Sequence, residues 1–250
     1  MEKQLPYSMA VLGLLLALGM SGAAFILGVQ AKKAVSAQQS VSVKGLAEKN
    51  VQADTAEWTA TVSVTAPDFA QALAKLRKER PALDAFLVGH GLDKTGWQEN
   101  SELITPHMVD VPLPNGGTRS EQSGFDANQS IVITTKELAK VAAANKAILS
   151  LQADGKPFSA NAPLYLVSNL EEIKMSLIGA ATANARNRAK EFVKQDGVHV
   201  GVMRSASQGA FYILPPGGTS DGDDYGGVYD KTTINKLAKV VVTIVYNIEQ

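Results

Sequence analysis

The sequence predicts an α+β fold with a largely antiparallel sheet, set behind an N-terminal membrane helix. Residues 9–29, MAVLGLLLALGMSGAAFILGV, carry no charge over 21 positions. Residues 41–64, VSVKGLAEKNVQADTAEWTATVSV, alternate apolar and polar side chains in the manner of strands. Further along, extended and helical patterns alternate without a strict βαβ rhythm, which favours antiparallel pairing over a doubly wound parallel sheet.

At about 1.5 Å per residue, the apolar run makes a helix roughly 30 Å long, the thickness of a bilayer's hydrocarbon core. A cleaved signal peptide is the rival reading, but its apolar region is typically about 7–15 residues. The only tolerable cleavage site, Val35-Ser36-Ala37, lies beyond Lys32 and Lys33. An uncleaved anchor over 1–30 is therefore favoured, followed by a polar linker over 31–40 and one folded domain over 41–250. Lys3 on one side and Lys32 and Lys33 on the other nearly balance, so charge leaves orientation open. Gly13, Gly19, Ser21, Gly22 and Ala23 give the helix a face of small residues.

In the opening strands, Val41, Val43, Val51 and Ala53 fall on odd positions, while Ala56, Trp58, Ala60, Val62 and Val64 fall on even ones. One extra residue swaps the faces of a strand, so a bulge or break is expected near Asp54 and Thr55. Lys44, Glu48, Lys49, Asp54 and Glu57 are interspersed along exposed faces, where mixed charges keep an edge soluble. Gly45 inside the first alternation marks a bend or a close backbone approach.

Pro67 and Asp68 open a helix carrying Phe69, Leu73, Leu76, Leu83, Phe86 and Leu87 at helical spacing; Pro81 predicts a kink or two consecutive helices. Gly89 and Gly91 end it. Strands over 101–111 and 124–134 are joined by a turn-rich segment, PLPNGGTRSEQS. A second helix covers 136–151, with Leu138, Val141, Ile148 and Leu149 inward, and a strand covers 162–168. The third main helix, 169–195, starts at an Asn cap and ends at Gly197. Ile173, Leu177, Ala181, Ala185, Ala189 and Val193 recur every four residues on its inner side. Strands over 198–214 and 233–248 close the chain.

Composition narrows the function classes. Lys plus Arg and Asp plus Glu each total 24, so the formal net charge is zero and no field draws phosphate backbones; no nucleic-acid partner is expected. The absence of cysteine excludes disulfides and thiolate chemistry. His90, His107 and His199 sit in no HExxH pattern and read as independent side chains. No GxSxG, GxxxxGK[ST] or GxGxxG segment is present, so no catalytic residue, cofactor or metal is expected. The acidic loop DGDDYGGVYD holds Asp221, Asp223, Asp224 and Asp230, but Thr232 stands where an EF-hand requires a bidentate Glu. Its Tyr225 and Tyr229 are candidates for contact with a neighbouring subunit. So is the basic row Arg186, Lys190 and Lys194 on the third helix, against the plainer account of a solvated face.

VSVKGLAEKNVQADTAEWTATVSV resembles the opening of SIMPL-domain proteins, in which an apolar-x-Val-x-Gly strand precedes a second strand near an Ala-Asp pair. Gly124-Phe125-x-Ala127 before Ile131–Ile133, the helix ANARNRAKEFVKQDGV and the ending VVVTIVYNI extend the resemblance over about residues 40–248. It implies an α+β bacterial envelope protein. The soluble part would lie in the periplasm, anchored in the inner membrane by one span, and members include a periplasmic immunogenic protein and proteins linked to oxidative-stress defence. Some are thought to form large homo-oligomers, and no catalytic residues are established for the family. The expectation is a non-enzymatic, self-assembling envelope protein that supports envelope integrity or stress tolerance, its small-molecule ligand unknown. The alternative is a ligand- or partner-binding module using the 112–124 and 215–230 loops.

Overall fold

A computed structural model describes residues 5–36, 39–114, 116–219 and 227–249, with side chains from residue 9 and without those of 31–36. Helix α1 (Leu5–Ser36) contains the apolar run and continues through residues expected to form a polar linker. Its segment Met9–Gln30 is long and apolar enough to cross a membrane and none of it is buried within the protein.

The chain divides into two compact units, where the sequence suggests one domain over 41–250. The first comprises residues 1–48, 174–211 and 239–250, and the second 49–173 and 212–238. Strand β1 (Ser40–Gln52) belongs to a three-stranded sheet of order β1-β9-β8, with β8 at His199–Leu214 and β9 at Asn235–Glu249. Strand β2 (Thr55–Ala66) belongs to the other sheet. The expected phase shift is thus a change of sheet. The Ala53 N–H bonds to the Ile234 carbonyl at 2.8 Å, and the Asp54 N–H bonds to the Leu166 carbonyl at 3.0 Å.

The second unit is a helix-backed antiparallel sheet. β2 pairs along its whole inner length with β5 (Thr118–Thr135), which also pairs with β3 (Trp97–Glu99) and β4 (Leu103–Pro112). Two short strands, β6 (Phe158–Ala160) and β7 (Leu164–Leu166), share the far edge of β2. The 112–124 loop expected from composition is mostly strand: β4 runs to Pro112 and β5 begins at Thr118. Alternating polar residues on both faces hid this part of the ladder, because neither face is buried there.

Helix α2 (Phe69–Gly89) is capped by Asp68, which accepts from the Gln71 N–H at 2.8 Å, and it runs through Pro81 as one helix. Its Ala72, Leu76, Leu83 and Leu87 are buried on the side facing β2 and β5. Helix α3 (Leu138–Ala153) buries Val141, Ala144 and Ile148. Leu149, expected inward, is 55% exposed because it lies a residue beyond that row. Trp58 on β2 is wholly buried, and its indole N–H donates to the Asn161 carbonyl at 3.0 Å and to Asn145 Oδ1 at 3.2 Å. A buried indole requires such partners, so this bond fixes α3 over the sheet.

In the first unit, helix α4 (Leu170–Val193) lies on β1. The expected row is buried along its length, from Ile173 through the fully enclosed Ala181, Ala185 and Ala189 to Val193. Gly45 shows why the row narrows to alanine: a Cβ there would stand 2.0 Å from the Ala181 carbonyl oxygen and 2.8 Å from the Ala185 Cβ. Gly45→Ala therefore forces the helix off the strand. Overpacking of this kind costs roughly 1–3 kcal/mol or more. The expected result is a lower urea midpoint for the detergent-solubilised full chain, while Gly89→Ala, which meets nothing within 4 Å, leaves it unchanged or raised.

Candidate functional site

The same contact of α4 with β1 builds an open groove of about 730 Å³ lined by Ser42, Val43, Lys44, Asn184, Arg188 and Phe192 among others. The buried side of β1, Val43 and Gly45, meets one face of the helix here. Asn184 Oδ1 accepts from the Leu46 N–H at 3.1 Å, and Arg188 Nη1 donates to the Lys44 carbonyl at 3.1 Å. Two backbone groups of an edge strand are thereby satisfied by helix side chains. Phe192 stays 68% exposed at the groove's end, giving it an apolar wall beside a charged one. Nothing in the sequence pattern marked this groove, because it arises from strand and helix segments far apart in the chain.

The basic row of α4 is divided by the structure. Arg186 lies over the Tyr246 ring, 5.9 Å from its centroid, in a cation–π arrangement. Lys190 and Lys194 line a second hollow of about 430 Å³ with Glu191 and His199. Gly197, in the left-handed conformation at φ 68°, turns the chain there from helix to strand. Lys194 Nζ is 3.5 Å from Glu191 Oε2, and both side chains are at least 70% exposed. Such a pair contributes little and offsets the local positive charge.

Tyr229 is half-buried and held. Its hydroxyl accepts from the Val167 N–H at 2.9 Å, and its residue bridges Ile213. Beside it is a buried ion pair. Lys236 has a side chain with no exposed surface, and its ammonium donates to the Asp230 carbonyl at 2.6 Å, with Asp230 Oδ2 at 3.5 Å. Burial alone would raise the Asp230 carboxyl. Hydrogen bonds from Thr233 Oγ1 and from the Thr232 hydroxyl and N–H, with the Lys236 charge, instead hold it well below the usual carboxylate range. Burial pushes the Lys236 ammonium down, and Asp230 opposes that. Tyr225, Asp221, Asp223 and Asp224 lie outside the described residues. Among the described residues no three His, Asp or Glu side chains converge as metal ligands.

Among the described residues, His107 is the histidine that meets a carboxylate, its Nδ1 lying 2.7 Å from Asp126 Oδ2 across the β4–β5 pair. Thr65 on β2 donates to the other oxygen of Asp126 at 2.5 Å. The Thr65 bond and then the His107 contact hold the Asp126 carboxyl below its ordinary value. An aspartate orienting an imidazole is half of a hydrolytic triad, but here the hydroxyl spends its proton on the carboxylate rather than on the imidazole. The arrangement ties three strands together where β4 shifts register between Pro106 and Met108. His90 contacts the Phe86 carbonyl and ring instead, and His199 lies with the lysines of the second hollow.

Asp230 provides a test by stability. A depressed carboxylate pKa adds stability that is complete above the unfolded value of about 4 and lost as pH falls below it. Asp230→Ala leaves a buried ammonium unpaired, which costs roughly 3–5 kcal/mol at pH 7. Denaturant unfolding followed by tryptophan fluorescence should show that loss at pH 7. The gap to the native chain should narrow below about pH 4, and adding Lys236→Met should recover part of the loss.

A comparison with family models places residues 41–230 in SIMPL, described as a protein of unknown function (DUF541). No curated protein matches the chain. The match takes in strands β1 to β8, helices α2 to α4 and the Asp230 end of the acidic loop. The chain belongs to the SIMPL family.

Proposed function

We propose that this protein is a non-enzymatic, single-pass envelope protein whose sheet-rich part lies in the periplasm and self-assembles into a homo-oligomer supporting envelope integrity or stress tolerance. The observation that carries this reading is an uncovered apolar helix, Met9–Gln30, in one chain with a SIMPL domain. A helix of that length with no protein contact along it is suited to lipid, and the family resemblance implies an envelope location. Physically, an ion pair within the core and a histidine–aspartate contact spanning strands serve a rigid scaffold. A scaffold in the envelope gains from number, because membrane-tethered copies meet at high effective concentration.

Two measurements test it. Light scattering after size exclusion should give a particle of several chains, uniform in mass, both for the detergent-solubilised full chain and for a chain starting at Gln38. A monomer in both forms rejects self-assembly. The chain has no cysteine, so Met175→Cys, at a residue 60% exposed, introduces a single thiol. A membrane-impermeant maleimide should label it in intact spheroplasts; labelling only after lysis would put the domain in the cytoplasm.

A further inference from the structure

Each sheet presents edges with unpaired backbone N–H and C=O groups, and proteins guard such edges against pairing with other chains. In this protein two edges are guarded in different ways. On β1, Asn184 and Arg188 occupy the Leu46 N–H and the Lys44 carbonyl. On β4, Pro106 and Pro112 interrupt the donors and the register shifts between Pro106 and Met108. The edge strand β8 has neither device. Its 16 residues, HVGVMRSASQGAFYIL, contain no proline and no lysine, and β9 is its only strand partner in the sheet. Among the described residues, no group outside the sheet hydrogen-bonds to positions 200–211. Residues 202–209 are exposed on both faces, with Val202 at 65% and Met203 at 46%.

We infer that β8 is the surface through which a second copy of this chain adds, antiparallel and two-fold symmetric, to continue the sheet. This deepens the self-assembly proposed above and rests on it. The occupant follows from the other edge. Addition of β8 to β1 of a neighbour would have to displace Asn184 and Arg188, so among the described residues the sheet has one open edge, and one open edge closes by pairing with itself. The sequence of β8 is suited to that pairing. Centred on Ala206, Ser205 faces Ser207 of the second copy, Arg204 faces Gln208, and Val202 faces Ala210. Arg204 is the only charged residue in 200–211, and this register keeps the two arginines from opposing each other.

The absence of cysteine makes the register directly testable in the full-length chain. Directly opposed Cβ atoms in such a pair lie about 4.5–5.5 Å apart, close to disulfide geometry. Four residues of offset between equivalent positions put them roughly 13 Å apart, out of reach. Under mild oxidation in membranes, Ala206→Cys should convert most of the chain to a disulfide dimer, and Gln208→Cys at least about tenfold less. Reduced Ala206→Cys should keep the particle mass of the native chain, which excludes misfolding as the cause of any difference. Equal linkage at both positions, or none at 206 while the native particle holds several chains, overturns the β8 pairing and leaves self-assembly standing. A native particle of one chain overturns both. A linked species at any mass other than twice the chain shows that another polypeptide takes the edge and overturns the second-copy assignment.

Discussion

The backbone of Gly45 lies so close to Ala181 and Ala185 that no side chain fits between strand and helix. Much of the first unit depends on that contact. Close approach lets Asn184 and Arg188 reach the backbone of β1, where they satisfy its outward groups and close that edge. It also sets the floor of the groove that ends at Phe192. The taper of the helix row from leucine to alanine is the sequence's accommodation of the same constraint, since larger side chains would hold the backbones apart.

The second unit is organised differently, around polar groups taken out of water. Trp58 and the Asp230–Lys236 pair each require partners: Asn145 and Asn161, from distant segments, for the indole, and the neighbouring Thr232 and Thr233 for the carboxylate. Apolar burial of α2 and α3 against β2 and β5 drives the association, while these buried polar groups restrict it to one arrangement. Asp54 works in the same way where β1 gives way to β2. It accepts from the Ser168 hydroxyl and N–H, with Thr55 alongside, and the Ser168 hydroxyl leads in keeping its carboxyl charged to lower pH than usual. The charged residues of the opening stretch thus include one whose task is architectural.

Membership of a family does not supply a mechanism, because function resides in sites carried by folds. What this fold offers is surface: a groove beside a closed edge, and an open edge on the opposite strand of the same sheet. The contrast between a guarded and an unguarded edge within one three-stranded sheet is what gives the self-assembly reading a specific geometry.

Local patterns were legible wherever one face of an element is buried. The apolar run, the break at Ala53–Asp54, the opening of α2 near Asp68, the four-residue row of α4 and the closing strand β9 all follow from periodicity and helix-end chemistry. Strand β3 and β6, each 3 residues long, and the outer half of β5 were not, because short or doubly exposed strands carry no period to read. The same limit applies to sites. Arg186, Lys190 and Lys194 share a helix face by spacing, yet only tertiary structure puts Tyr246 under the first and Glu191 and His199 beside the others. The sequence by itself determined the apolar N-terminal helix, the fold class and the kinds of chemistry lacking a motif. Which edge is closed and which histidine meets a carboxylate were decided by long-range packing, since each depends on backbone and side-chain groups far apart along the chain.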